Sequence, residues 1–170
     1  MSRYVIACGG TGGHLAPGIA IAEALSTRGH ECMLVVSRKQ VDSRLLSKYS
    51  NLRYEALPGA GFGRTPRAFI RFLVGELQGV GYAFRLLRRE RPSCVLGFGG
   101  FITAAITLAG FILGYPVALH EANRRPGRAT RMLSGLARRI YLPEGVRLKS
   151  LPAMTVMEAG LPVREEIRPL

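Results

Sequence analysis

The sequence predicts an α/β protein, a parallel sheet wrapped by helices. Three observations carry this. Short apolar runs alternate with longer stretches of helical periodicity. Glycine-rich or charged loops follow the first, fourth and fifth of those runs. The composition, 48% apolar with 21 glycines and 10 prolines in 170 residues, suits one turn-rich domain large enough to bury a core.

In chain order, residues 4–8 read as the first strand, followed by Gly9-Gly10-Thr11-Gly12-Gly13-His14 and a helix through Ala20, Ile21, Ala24 and Leu25. Gly29 supplies its left-handed C-cap. Residues 32–36 give strand two, the polar stretch 37–49 a short helix holding Leu45 and Leu46, and residues 52–57 strand three. The glycine-rich loop 58–64 leads to a long helix over 66–89. Strand four at 94–97 runs into Gly97-Phe98-Gly99-Gly100 and a helix over 102–113. Strand five at 117–119 ends at His120-Glu121-Ala122-Asn123, a basic helix follows over 126–138, and strands close the chain at 140–142 and 155–158.

Cys8, Cys32 and Cys94 fall in or beside strand-like runs without zinc-ligand or C-x-x-C spacing, so buried free thiols are expected. The apolar run before the first glycines is too short for a signal peptide, and export is not expected. Residues 101–119 carry no charge over 19 positions, but Gly110, Gly114 and Pro116 break the run, so a helix followed by a buried strand is expected in place of a membrane span. The formal charge of +13 implies an anionic partner: nucleic acid, membrane or a phosphorylated substrate.

In a doubly wound sheet the ligand crevice lies beyond the carboxyl ends of the strands, where helix N-termini favour anions. The first loop is no dinucleotide fingerprint, since G-x-G-x-x-G from Gly10 would need glycine where Leu15 stands, and Ser37 follows strand two in place of an acid. No glycine-lysine-serine or glycine-lysine-threonine follows a strand, which removes the P-loop. His14 opens a helix, where the dipole favours a neutral imidazole able to accept a proton. His120 and Glu121 form a second polar pair at the same edge, whereas His30 lies in a turn away from it. The single aspartate, Asp42, rules out a paired-aspartate metal site in this chain, so chemistry here is expected to need no metal and no cofactor, with a leaving diphosphate neutralised by helix N-termini or basic side chains.

Three segments in order, residues 9–14 with Pro17-Gly18, then Gly97-Phe98-Gly99-Gly100-Phe101, then His120-Glu121-Ala122-Asn123, resemble the signature segments of the MurG glycosyltransferases. The resemblance covers essentially the whole chain and half the family's length. It implies the N-terminal, Rossmann-like half of a GT-B enzyme: residues 1–163 as the acceptor-binding domain, 164–170 as the start of a linker, and a donor-binding C-terminal domain in cis or trans. The implied reaction moves N-acetylglucosamine from UDP-N-acetylglucosamine, with inversion, to the undecaprenyl-diphosphate-linked muramoyl-pentapeptide lipid I, giving lipid II for peptidoglycan. By the same resemblance Thr11, Gly12, Gly13, Asn123 and Arg164 reach the donor, Gly99, Gly100, Phe101 and His120 face the acceptor, and His14 and Glu121 are the catalytic candidates. Phe101 stands where the family has tyrosine, and Leu161 where it has asparagine before Pro162-Val163-Arg164.

The long helix carries more apolar residues than one core stripe needs, Phe69, Ile70, Phe72, Leu73, Val74 and Leu77 among them, flanked by Arg64, Arg67, Arg71, Arg85, Arg88 and Arg89. That pattern fits a segment entering an anionic headgroup layer at the cytoplasmic membrane face. Nucleic acid is not an expected partner, because the basic stretches lack interleaved aromatics and no binding motif occurs. Two other readings share these features: a non-catalytic, membrane-recruiting subunit that presents acceptor to a donor-binding chain, and a related transferase acting on a different lipid.

Overall fold

The computed structural model describes residues 1–9, 12–37, 47–49, 51–57, 65–148 and 155–164, without the side chains of residues 12, 68, 69 and 101. Seven parallel strands, β1 (Arg3–Ala7), β2 (Glu31–Ser37), β3 (Arg53–Leu57), β4 (Cys94–Gly97), β5 (Val117–His120), β6 (Arg139–Leu142) and β7 (Val156–Glu158), form one sheet in the order β3-β2-β1-β4-β5-β6-β7. Helices α1 (Gly12–Thr27), α2 (Pro66–Glu90), α3 (Gly100–Ile112) and α4 (Arg128–Leu133) connect them. The expected helix between strands two and three falls on residues outside those described.

Alternation along the strands sorts side chains onto two faces. Val5, Ala7, Met33, Val35 and Val95 pack with Leu86 and Leu87 of α2 and with Ile102 and Ile106 of α3. Ile6, Cys8, Leu34 and Val36 pack on the other face with Leu15 and Ile19 of α1. Leu119, Ile140 and Leu142 continue the first face and meet Leu133 of α4. The chain progresses outward from β1 in one direction and from β4 in the other, so the order reverses between these two strands. That is the switch point at which a ligand crevice opens.

The expected C-cap of α1 is present. Gly29 has φ +78, and the Gly29 and His30 N–H groups donate to the Ser26 and Leu25 carbonyls. The basic helix after strand five is shorter than its composition predicts: α4 stops at Leu133 and tightens into a 3-10 turn over Ser134–Leu136. Ser134 Oγ donates back to the Arg131 carbonyl, and Gly135 follows, which together weaken helix continuation. Cys8 and Cys32 are buried as expected and Cys94 only half-buried; burial raises the pKa of Cys32 and of Cys94, against a smaller opposing bond from Ser26 at Cys32, so neither is poised as a nucleophile.

At the edge of the sheet where the strands begin, three arginines are paired with acids. Arg3 Nε meets Glu31 at 2.7 Å, while the buried Glu90 takes Arg89 Nε at 3.0 Å and Arg53 at 3.5 Å. Arg89 also reaches Glu55.

On α2, burial pushes the half-buried Glu76 carboxyl up from 4.5 to about 7. The folded state therefore favours the neutral acid, and the stability linked to this group is full below the ordinary carboxylate range and lost as pH rises through 7. Thermal melting from pH 4 to 8 is expected to show Glu76→Gln more stable than the wild type at pH 8 by on the order of 1–2 kcal/mol, after screening of a half-exposed group. Identical pH profiles for the two proteins would contradict this.

Candidate functional site

The loops after β1 and β4 meet at the switch point, where a Cβ on Gly100 would stand 3.1 Å from the Gly9 carbonyl, and glycine also lets each loop lie against its neighbours. A Cβ on Gly9 would strike the Val36–Ser37 backbone, and one on Gly97 would strike Thr103 and crowd Leu119. Gly99 and Gly100 hold φ of +95 and +77, a region that disfavours side chains. The buried Thr103 hydroxyl lies 2.7 Å from the Gly99 carbonyl and 3.1 Å from the Ala7 carbonyl, and the Phe98 N–H donates to Ala7 at 2.9 Å. The end of β1 and the turn after β4 are thus one bonded unit.

His14, in the first turn of α1, is half-buried against this turn. A Cβ on Gly99 would stand 3.1 Å from its Nε2, and one on Gly100 3.6 Å from its Nδ1, so the imidazole lies along the glycine backbone. Gly12 begins α1 and Gly13 is exposed; α1 continues through Pro17, which has no N–H to give the Gly13 carbonyl. Gly18 touches β1 closely, since a Cβ there would collide with Cys8. Thr11 and the Phe101 side chain lie outside the described residues.

The loop after β5 is organised by Glu121. This buried carboxylate accepts from the Asn123 N–H at 2.9 Å and Asn123 Nδ2 at 2.7 Å on one oxygen, and from the Gly127 N–H and Thr130 Oγ1, both at 2.7 Å, on the other. Burial raises its pKa, but the four donors outweigh burial and hold it below the usual range. Sequence reasoning placed Glu121 among the catalytic groups; in the fold both oxygens are engaged by its own loop, while Asn123 is exposed.

His120 points to the other side of the sheet. Its ring is buried 5.1 Å from that of Phe98, and among the described residues neither nitrogen makes a hydrogen bond of good geometry. Burial lowers its pKa against weaker opposing effects of the Gly160 backbone and the Glu121 charge, so the ring is neutral. It belongs to the wall of an apolar cavity of about 480 Å³ under α1, shared with Ile21, Leu96, Phe98, Tyr141 and Val163. That cavity offers no cation to a diphosphate.

Arg164 is half-buried, with Nη1 2.7 Å from the Tyr49 hydroxyl and its guanidinium 6.0 Å over the Tyr49 ring. Sequence reasoning passed over Tyr49 and Thr103. A threonine four residues after Gly99 inside an apolar helix was the available signal for the second; nothing in sequence joins Tyr49 to a residue 115 positions away.

The profile of the glycosyltransferase family 28 N-terminal domain matches residues 4–142. The chain belongs to this family. A protein of Opitutus terrae named UDP-N-acetylglucosamine--N-acetylmuramyl-(pentapeptide) pyrophosphoryl-undecaprenol N-acetylglucosamine transferase is 52% identical over 99% of this chain and 45% of its own length. One of the same name from Geotalea uraniireducens is 34% identical over 97% of this chain and 46% of its own. The crystal structure of Acinetobacter baumannii MurG superposes with TM-score 0.80 at 24% identity, over 95% of this chain and 46% of that one. S. aureus MnaA, in a co-structure with UDP, gives 0.73 at 16%, over 93% and 44%. These two structures share the fold with this family 28 domain, which spans about half the length of the relatives it matches. Among the described residues no helix is long and apolar enough to cross a membrane.

Replacing Glu121 by glutamine turns an NH2 toward one pair of donors. Urea denaturation at pH 7 is expected to show a loss of about 1.5–3 kcal/mol, the range for a hydrogen bond to a charged group. In the wild type this stability is present above the ordinary carboxylate pKa and is lost as pH falls through the depressed value, a loss the variant should not show.

Proposed function

We propose that this family 28 domain is the acceptor-side half of a transferase that moves N-acetylglucosamine from UDP-N-acetylglucosamine to an N-acetylmuramyl-(pentapeptide) pyrophosphoryl-undecaprenol acceptor. The observation that carries the reading is His14 lying along the Gly99–Gly100 turn at the switch point, in a chain 52% identical to a transferase of that name. The donor-binding half is supplied by sequence outside these 170 residues or by a separate chain.

The acceptor's C4 hydroxyl oxygen attacks the anomeric carbon of N-acetylglucosamine, the bond from that carbon to the UDP oxygen breaks with inversion, and the hydroxyl proton passes to His14. The N–H groups opening α1 and the Arg164 guanidinium oppose the charge that develops on the leaving diphosphate. Glu121 acts as a positioning residue: by holding the Asn123 amide nitrogen inward it presents the side-chain oxygen to the donor. Tyr49 orients Arg164 in the same way.

The membrane face is the first half of α2. From 66 to 78 no residue with a described side chain is buried, and Ile70, Leu73, Val74 and Leu77 are exposed by 61%, 45%, 47% and 74% at i, i+3, i+4, i+7 spacing. Arg67 and Arg71 are exposed on the same segment, Phe72 is half-buried, and the Phe69 side chain lies outside those described. An apolar stripe facing outward between arginines suits peripheral attachment to an anionic leaflet.

In the domain joined to a donor-binding half, His14→Ala is expected to lower turnover by roughly 10²–10⁴ with little change in donor KM, as for a lost general base. Turnover within about twofold of wild type would remove His14 from the chemistry. Ile70→Asp with Leu73→Asp should abolish co-sedimentation with phosphatidylglycerol vesicles while leaving the fold intact, and undiminished binding would sink the membrane assignment.

A further inference from the structure

Three of the described arginines are held by acids in ion pairs, and four others gather in one place. At the edge where the strands begin, Arg3, Arg53 and Arg89 meet Glu31, Glu90 and Glu55. At the opposite edge Arg124, Arg125, Arg131 and Arg147 converge with Ser134 on a cavity of about 510 Å³ that no acidic residue lines. All four are exposed, and among the described residues none has an ion-pair partner. Like charges gathered with no acid in ion-pair contact repel one another, and an anion seated among them would relieve that repulsion.

Hydrogen bonds within the chain set the turn that carries two of these arginines. Arg124 and Arg125 lie in the turn that Glu121 fastens on both sides, through Asn123 before them and Gly127 and Thr130 after them. Arg131 follows Thr130 directly, with Ser134 Oγ bonded to its carbonyl, and Arg147 leaves β6 after Gly145 at φ +72. A preset turn reduces the entropy lost when the guanidiniums close on a ligand. Planar guanidinium forks match phosphate oxygens bidentately, and four of them exceed what one carboxylate can neutralise.

We propose that Arg124, Arg125, Arg131 and Arg147 form a pocket for a phosphate-class anion, a phosphate ester or a diphosphate, that shares no residue with the glycine-loop crevice. The pocket concerns binding by this chain alone, so its test is independent of glycosyl transfer.

Calorimetric titration with inorganic pyrophosphate and co-sedimentation with phosphatidylglycerol–phosphatidylcholine vesicles are each run on three proteins: the wild type, Arg124→Ser with Arg147→Ser, and Arg28→Ser with Arg138→Ser. The last removes equal charge outside the pocket. One-site pyrophosphate binding that weakens at least about tenfold in the pocket variant and less than about threefold in the control supports the pocket with a soluble phosphate group as ligand. Pyrophosphate binding equally weak in all three, with vesicle binding reduced about tenfold in the pocket variant alone, supports it with a lipid phosphodiester as ligand. Equal losses in both variants in both arms, the behaviour of diffuse surface charge, overturn it. Should the pocket variant fail to fold, Arg124→Lys with Arg125→Lys keeps the charge and removes the fork; undiminished binding in that variant in both arms would likewise overturn the proposal.

Discussion

The Thr103 hydroxyl, shared between the Gly99 and Ala7 carbonyls, sits where the two halves of the sheet diverge, and the rest of the site depends on how closely the turns after β1 and β4 meet there. One hydroxyl hydrogen serves two carbonyls only if both backbones come within its reach. The bare Cα of Gly100 leaves room for that approach, since a Cβ there would stand 3.1 Å from the Gly9 carbonyl, and Gly99 and Gly100 both take the left-handed conformation. A side chain at Gly100 would press on the Gly9 carbonyl, and one at Gly99 or Gly100 would crowd the His14 imidazole.

Around that junction the domain handles charge in three ways. Where the strands begin, acids neutralise arginines and hold the sheet edge. At the crevice the N–H groups that open α1 supply positive charge, while Arg164 is steadied by the Tyr49 hydroxyl. Beyond β5 and β6, four arginines without ion-pair partners among the described residues line one pocket, two of them in the turn that Glu121 fastens. The Glu121 carboxylate has both oxygens bonded within its own loop, and those donors outweigh burial and lower its pKa.

Much of the fold was legible because short-range physics produces it. Alternating apolar runs and helical periodicity located all seven described strands to within a residue or so, and Gly29 was recognisable as a cap because a helix end needs a left-handed residue there. The helix after β5 was overestimated, since basic composition says nothing of a serine that bonds back to the chain. The exposed stripe of α2 was visible as an excess of apolar residues, but which of them stay uncovered follows from α2 gaining buried residues only from Gly79 onward.

The site was legible as loops and not as contacts. Sequence alone determined the glycine turns, the histidine that opens α1, the absence of a dinucleotide fingerprint and the surplus of positive charge, because each is a property of neighbours along the chain. Tertiary structure decided that Glu121 is saturated, that His120 faces an apolar cavity under α1, that Tyr49 holds Arg164, and that four arginines from three segments share one pocket. Those outcomes depend on which side of the sheet a strand's next residue faces and on approaches between segments dozens of residues apart, and no local pattern encodes either.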